Sequence, residues 1–492
     1  MSLELDSKTA SILTGPELER GEVEVDHRKL LRRIDLRILP WIYMTYLVVR
    51  LDIANISNAG IMNQEVKHSL RQELALSAQQ WTWVIACFYY TYLFTEPVST
   101  FFIKITSPSI WIARIMISWG IILCCQAAVR SYGGLVTTRV LLGVMEGGYF
   151  PCIVYHWSFW YSPKEMVPRI LALYAAGAAA NAVSGFLAYA ISFTDRAGFA
   201  GWRWLFIIEG AVPVIMGIAT FWVYPDFPET SKWLSRHEVQ HITDHLHKSA
   251  PNVKGPTFSL KESLDVFRDP VFYFFTAFWI LHGVGVNGIS TVLPVVIDDL
   301  GFTSSAGANL LNIPPAAASI VILIICHILL QKFRVNAFPL IIFMELVVLA
   351  CFVILITRTE PGVRYFALVL VTGVSTVAYP VLWPRRVQSV RGTAGSALAI
   401  GIQNASAQFS GILGPQLFRS DYGPLYDKPF EAACGLIGVA LLLLIPAWWL
   451  MDGDISRSKW LVRHVQSQTK WREGDDVRDV KVEGETKGVG LH

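Results

Sequence analysis

From residue 38 onward the chain alternates long apolar runs with short polar ones. Each run is close to the ~20 residues that a helix needs to cross the hydrocarbon core of a bilayer. The pattern predicts twelve such stretches, at about 38–58, 82–103, 111–129, 134–156, 169–191, 203–224, 271–291, 309–331, 337–357, 364–384, 394–415 and 430–451. Backbone N–H and C=O groups cannot stay unpaired in lipid, so each stretch reads as a helix. Six precede and six follow a polar segment, 225–270, rich in Pro, His, Lys and Glu. The organisation read from this is an N-terminal segment (1–36), a six-helix half (37–224), a middle loop (225–270), a second six-helix half (271–451) and a charged, disordered tail (452–492). The first 36 residues hold no apolar run, so no cleavable secretory signal is expected.

Composition agrees with the pattern. The 492 residues are 53% hydrophobic and 16% charged, where soluble domains carry roughly 25% charge. Lipid rather than water therefore surrounds much of the chain. A net charge of +3 gives no reason to expect a nucleic-acid partner. The seven cysteines sit in apolar runs without zinc-ligand spacing and read as small buried hydrophobes. Lys and Arg cluster before the first helix and in the loops after helices four, eight and ten, whereas the loop after helix seven offers Asp298 and Asp299. This bias puts both termini and the middle loop in the cytoplasm.

Helix four of each half carries a faint repeat, "GVMEGGYFP" from Gly143 and "GVSTVAYP" from Gly373. Two six-helix halves around a central cavity make the major facilitator architecture, an all-α membrane fold whose substrate site lies at the midplane between the halves. Charged residues inside the membrane are costly, at least ~2.5–3.5 kcal/mol each, and so face a cavity or a partner. The candidates are Arg50, Asp52, Glu96, Arg139, Glu146, Glu209, His282, His327 and Glu345, six of them in the first half. On helix one, Arg50 shares a face with Ala54 and Ser57, and Asp52 shares another with Asn55 and Ala59. Arg50 either binds an anion through its guanidinium fork or pairs with a carboxylate on another helix. Arg139 and Glu146 lie seven residues apart on one face, with Gly143 and Gly147 at spacings that let helices approach closely. A carboxyl group at the position of Glu146 can take up and release a proton, which is the charge change that coupling needs. Trp83, Tyr89 and Tyr379 are candidate cavity aromatics.

Two motifs are set aside. "HEVQH", 237–241, has the His-Glu-His spacing of zinc peptidases, with Glu262 downstream. It falls in the polar middle loop, where a short exposed helix needs only polar residues, and incidental metal binding by His237, His241 and His245 is the stronger reading. No catalytic metal site or cofactor is expected. The triplets Asn55-Ile-Ser and Asn404-Ala-Ser fall in or beside helices and are discounted as glycan acceptors.

Several stretches together resemble fungal major facilitator proteins of the anion:cation symporter group, in the allantoate permease branch. They are "RRIDLRILPW", "RLDIANISNA", "RVLLGVMEGGYFP", "WSFWYSPKE", "GWRWLFIIEG" and "LLNIPP", within about residues 28–450. The resemblance implies import of small carboxylates and related molecules, such as nicotinate, pantothenate, biotin or allantoate, usually with protons. For Arg139 and Glu146 it implies a role in proton coupling and helix packing. Two departures stand out. The branch usually reads Leu-Asp-Arg in helix one, but Ile53 stands at the Arg position while Asp52 and Asn55 are kept. The Gly-Asp-Arg loop of the wider superfamily is replaced by "KITSPSIW".

The expectation is a monomeric, proton-coupled transporter of a small organic anion in the plasma membrane, working by alternating access and not an enzyme. Substrate binding is assigned to Arg50, Asn55, Trp83, Tyr89 and Tyr379, and proton coupling to Glu146, Arg139 and Asp52. The rival readings are an exporter of a fungal secondary metabolite and a non-transporting nutrient sensor.

Overall fold

The computed structural model describes residues 25–193, 200–249, 267, 270–389 and 402–451. The first 24 residues, the tail 452–492 and most of 250–269 lie outside them. Helices occur in all twelve expected stretches, of which the eleventh, 394–415, lies outside the described residues up to 401, and no strand occurs among the described residues. Numbered as spans in chain order, they are span 1 (His27–Ile61), 2 (Ala78–Ile105), 3 (Pro108–Gln126), 4 (Tyr132–Glu146 and Tyr149–Trp157), 5 (Pro163–Ser192) and 6 (Gly201–Val223). The second six are span 7 (Pro270–His282 running through Gly283–Asn287 to Gly288–Asp299), 8 (Ser305–Leu310 and Ile313–Gln331), 9 (Ala337–Thr357), 10 (Pro361–Ser375 and Ala378–Ser389), 11 (402–407 and Phe409–Leu417) and 12 (Asp427–Met451). Eight are long and apolar enough to cross a membrane by length and composition alone. Of the other four, spans 1, 2 and 4 carry the buried Asp52, Glu96, Arg139 and Glu146, and span 11 is described only from residue 402.

Spans 1, 4 and 10 differ from expectation. Span 1 begins eleven residues before the expected start at 38, at His27. Asp26 caps it by accepting from the Arg28 and Lys29 amides, and Leu30, Ile34, Ile38 and Ile42 bury one face at every fourth position. The middle segment contains a helix, Arg236–Ser249, whose Ile242 is buried. Spans 4 and 10 are interrupted, at Gly147–Gly148 and Thr376–Val377, inside the two halves of the faint repeat. Gly148 takes φ +90°, a conformation that L side chains rarely adopt.

The glycines of span 4 let it lie directly on span 2. A Cβ at Gly143 would stand 2.3 Å from the Phe88 carbonyl oxygen, and one at Gly147 would stand 2.8 Å from Thr95 Cβ. Thr91 Oγ1 instead donates to the Val140 carbonyl at 3.1 Å. Gly143→Val should therefore destabilise the protein by about 1–3 kcal/mol, the usual cost of overpacking, because a backbone oxygen cannot rotate away. A lowered thermal midpoint in detergent, with Gly435→Ala as the control at a site open to space, is the expected result. An unchanged midpoint would mean that spans 2 and 4 are not this close.

Candidate functional site

A cavity of about 270 Å³ lies between the halves, walled by spans 1, 2, 4 and 5 on one side and 7, 8, 10 and 11 on the other. Arg50, Ile53, Ala54 and Ser57 of span 1 line it. Asp52 and Asn55, on the other face of the same helix, are buried away from it. Among the described residues, Arg50 is the one charged residue in the lining. Tyr46, Tyr89 and Tyr174, which line the cavity too, lie within electrostatic reach of its guanidinium. Among the described residues it makes no ion pair or hydrogen bond, so its donors face the cavity. Gly177 leaves room for it: a Cβ there would lie 3.4 Å from Arg50 Cγ and 3.0 Å from the Tyr46 ring. Ile53 lies on the same wall less than one turn away, so the cation occupies the cavity although the branch's usual Arg position does not supply it.

The opposite wall carries no charged residue among those described, and Asn287, Thr291, Asn312, Asn404 and Gln408 give it polar groups. Tyr379 also lines it, and its hydroxyl donates to the Trp279 carbonyl at 3.0 Å. Tyr89 lines the cavity and packs its ring on Gly411 of span 11, where a Cβ would come within 2.3 Å of ring carbons.

Two of the expected residues lie elsewhere. Trp83 is 43% exposed and stacks on Tyr90 at 6.2 Å, on the outer surface. Six residues from Tyr89 is well short of two full turns, so Trp83 and Tyr89 point to different sides of span 2. Asn55 is fully buried and donates to Asp52 Oδ1 at 3.1 Å, next to Glu209 of span 6. Tyr46 and Tyr174 were not singled out from the sequence. For Tyr46 a signal existed: it stands four residues before Arg50, on the same helical face.

Behind the cavity wall the remaining charges of spans 1 and 4 meet. The Asp52 and Glu146 side chains, both buried, lie within electrostatic reach of each other. With both ionised their charges repel, and one proton held by the pair removes that repulsion. Arg139 is also buried, with its guanidinium 4.9 Å from the Phe88 ring centre and within electrostatic reach of both acids. Glu146 interacts electrostatically with Arg50 as well, which links the pair to the cavity. Glu146 ends the first piece of span 4, so the interruption at Gly147–Gly148 begins at this acid. In the second half, His282 Nδ1 stands 2.8 Å from Glu345 Oε1, both fully buried behind Tyr379.

Comparison with known proteins is consistent with this arrangement. Residues 43–415 match the family model for the Major Facilitator Superfamily. Over 423 residues the chain is 31% identical to an uncharacterized transporter of Schizosaccharomyces pombe, covering 85% of this chain and 82% of that one. It is 27% identical over 479 residues to the MFS-type transporter cnsO of Penicillium expansum, covering 94% and 88%. Among solved structures it resembles a D-xylose–proton symporter, with a TM-score of 0.62 at 14% identity over 82% of this chain and 96% of that one. The fold, the two-sided cavity and these matches lead to one conclusion: the chain belongs to the major facilitator superfamily of multi-pass membrane transporters.

Proposed function

We propose that the protein is a proton-coupled transporter of a small organic anion, of the kind implied by its resemblance to the allantoate permease branch, acting at the plasma membrane. The observation that carries this reading is the guanidinium of Arg50 in a cavity that is otherwise uncharged among the described residues. Unpaired within the described residues, and with three tyrosines of the lining in electrostatic reach, it is set to give two parallel N–H bonds to a carboxylate. A cavity of about 270 Å³ suits a small substrate. The aromatic rings beside Arg50 would hold the substrate's apolar body.

The proton is assigned to the Asp52–Glu146 pair. With both acids ionised, Glu146 draws Arg50 towards the buried cluster. With a proton on the pair that pull weakens, and Arg50 is free to hold the substrate anion. Proton and anion then favour each other's binding, which is the linkage that symport requires. Arg139, within electrostatic reach of both acids, stabilises their ionised forms.

Two outcomes follow. Arg50→Ala should reach the membrane but lose transport, with substrate affinity falling by about 2–5 kcal/mol, as when one partner of a buried hydrogen-bonded charge pair is truncated. Arg50→Lys should recover it only in part, since an ammonium is a point charge rather than a fork. Uptake of labelled carboxylates, with and without a proton gradient, measures this, and normal affinity in the alanine variant would remove Arg50 from the site. Glu146→Gln should abolish accumulation against a gradient while exchange of labelled for unlabelled substrate survives, because exchange releases no proton. Loss of both in protein that reaches the membrane would make Glu146 a brace for Arg139, and accumulation with wild-type pH dependence would exclude both roles.

A further inference from the structure

Four titratable side chains from three separated parts of the sequence converge at one end of the bundle. His27 stands on the first turn of span 1, Glu165 on the first turn of span 5, and His241 and His245 on successive turns of the helix Arg236–Ser249. His27 Nε2 lies 2.7 Å from Glu165 Oε1, and His245 Nε2 lies 3.4 Å from the same oxygen. The three ligand-capable atoms all fall within 4.8 Å of one another. Ligands of a tetrahedral zinc ion at about 2.0–2.1 Å stand about 3.3 Å apart. The two histidines thus bracket Glu165 at nearly that spacing, and the His27–Glu165 contact need open by only about half an ångström.

The surrounding contacts fix the ligands in the way metal sites do. The other carboxylate oxygen of Glu165 accepts from the Ser162 amide at 2.8 Å and the Ser162 hydroxyl at 2.7 Å, which leaves Oε1 turned to the imidazoles. The other ring nitrogen of His27 is 3.2 Å from His241 Nε2, so His241 orients His27 rather than joining the ligand set. Two described cations nearby have carboxylate partners of their own, although Arg169 also donates to the Glu165 carbonyl. Arg169 pairs with Asp35 at 2.7 Å and Arg33 with Glu238 at 2.7 Å. The three ligands are partly exposed, so an ion can enter from water and a water molecule can complete the shell.

We propose that His27, Glu165 and His245 form a binding site for a divalent transition-metal ion of the zinc type, with His241 as a positioning residue. The site is independent of the transport cavity. It uses only the second and third histidines of the 237–245 run. The Glu of the peptidase-like motif, Glu238, is bound to Arg33 and has no part in it. An ion held there would tie the Arg236–Ser249 helix, which lies between the halves in sequence, to the ends of spans 1 and 5.

The test is calorimetric titration of Zn²⁺ into the full-length protein in detergent, freed of any polyhistidine tag, with Co²⁺ absorption as a second readout. The expected result is one ion per chain and a raised thermal midpoint on binding. His27→Ala and His245→Ala should each weaken binding by about 100-fold or more, and His241→Ala by about 10–100-fold. His237→Ala, on an exposed position of the same helix, should leave it unchanged. His245→Cys should keep the site and add thiolate-to-cobalt absorption, which a variant that had merely lost its fold would not show. Binding undiminished in both His27→Ala and His245→Ala, or no saturable binding of a single ion, would overturn the proposal.

Discussion

The structure depends on how spans 1 and 4 accommodate charge inside the membrane. Glu146 lies within electrostatic reach of Arg50, Arg139 and Asp52, Asp52 within reach of Arg139, and Glu209 joins them through Asn55 and Asp52. Two guanidinium and three carboxyl groups balance only when one proton is held among them. Isolated, any of these charges would cost several kcal/mol in lipid; together each supplies the others' counter-charge. Arg50 alone reaches the cavity, so the charge state of the hidden groups bears on the one cation that a substrate can touch.

That arrangement needs spans 1, 2 and 4 close together and span 4 broken. Gly143 and Gly147 remove the side chains that would hold spans 2 and 4 apart, and Gly148 supplies the positive φ at which the helix restarts. Broken backbone at membrane depth is tolerated where protein or a cavity surrounds it. Both interruptions of the repeat, at 147–148 and 376–377, are followed by a tyrosine that lines the cavity, Tyr149 and Tyr379. The halves also meet through single polar contacts, at the cavity wall from Ser57 to the Thr291 carbonyl and from Asn312 to Asn58 at 3.4 Å, and away from it from Arg71 to Ser420 at 2.9 Å. Contacts of this kind can be exchanged for water when halves rock apart, at little net cost.

The sequence by itself determined the class of fold and the set of charges to be explained. Lipid admits few backbone solutions, so a run of about twenty apolar residues has to be a helix whatever its neighbours do. The 3.6-residue period likewise separated the face of Arg50, Ala54 and Ser57 from that of Asp52 and Asn55 before any contact was known. The tertiary structure alone decided which faces meet. Asn55 turned to Asp52 and Glu209 because span 6 packs there, and Trp83 turned outward because span 2 presents Tyr89 to the cavity instead. Helical periodicity gives the angle between two residues on one helix but not where that helix points. The cluster of His27, Glu165 and His245 spans 218 residues of sequence, from 27 to 245. Local spacing offered His237, His241 and His245, whereas packing selected His245 and supplied partners from two distant helix ends.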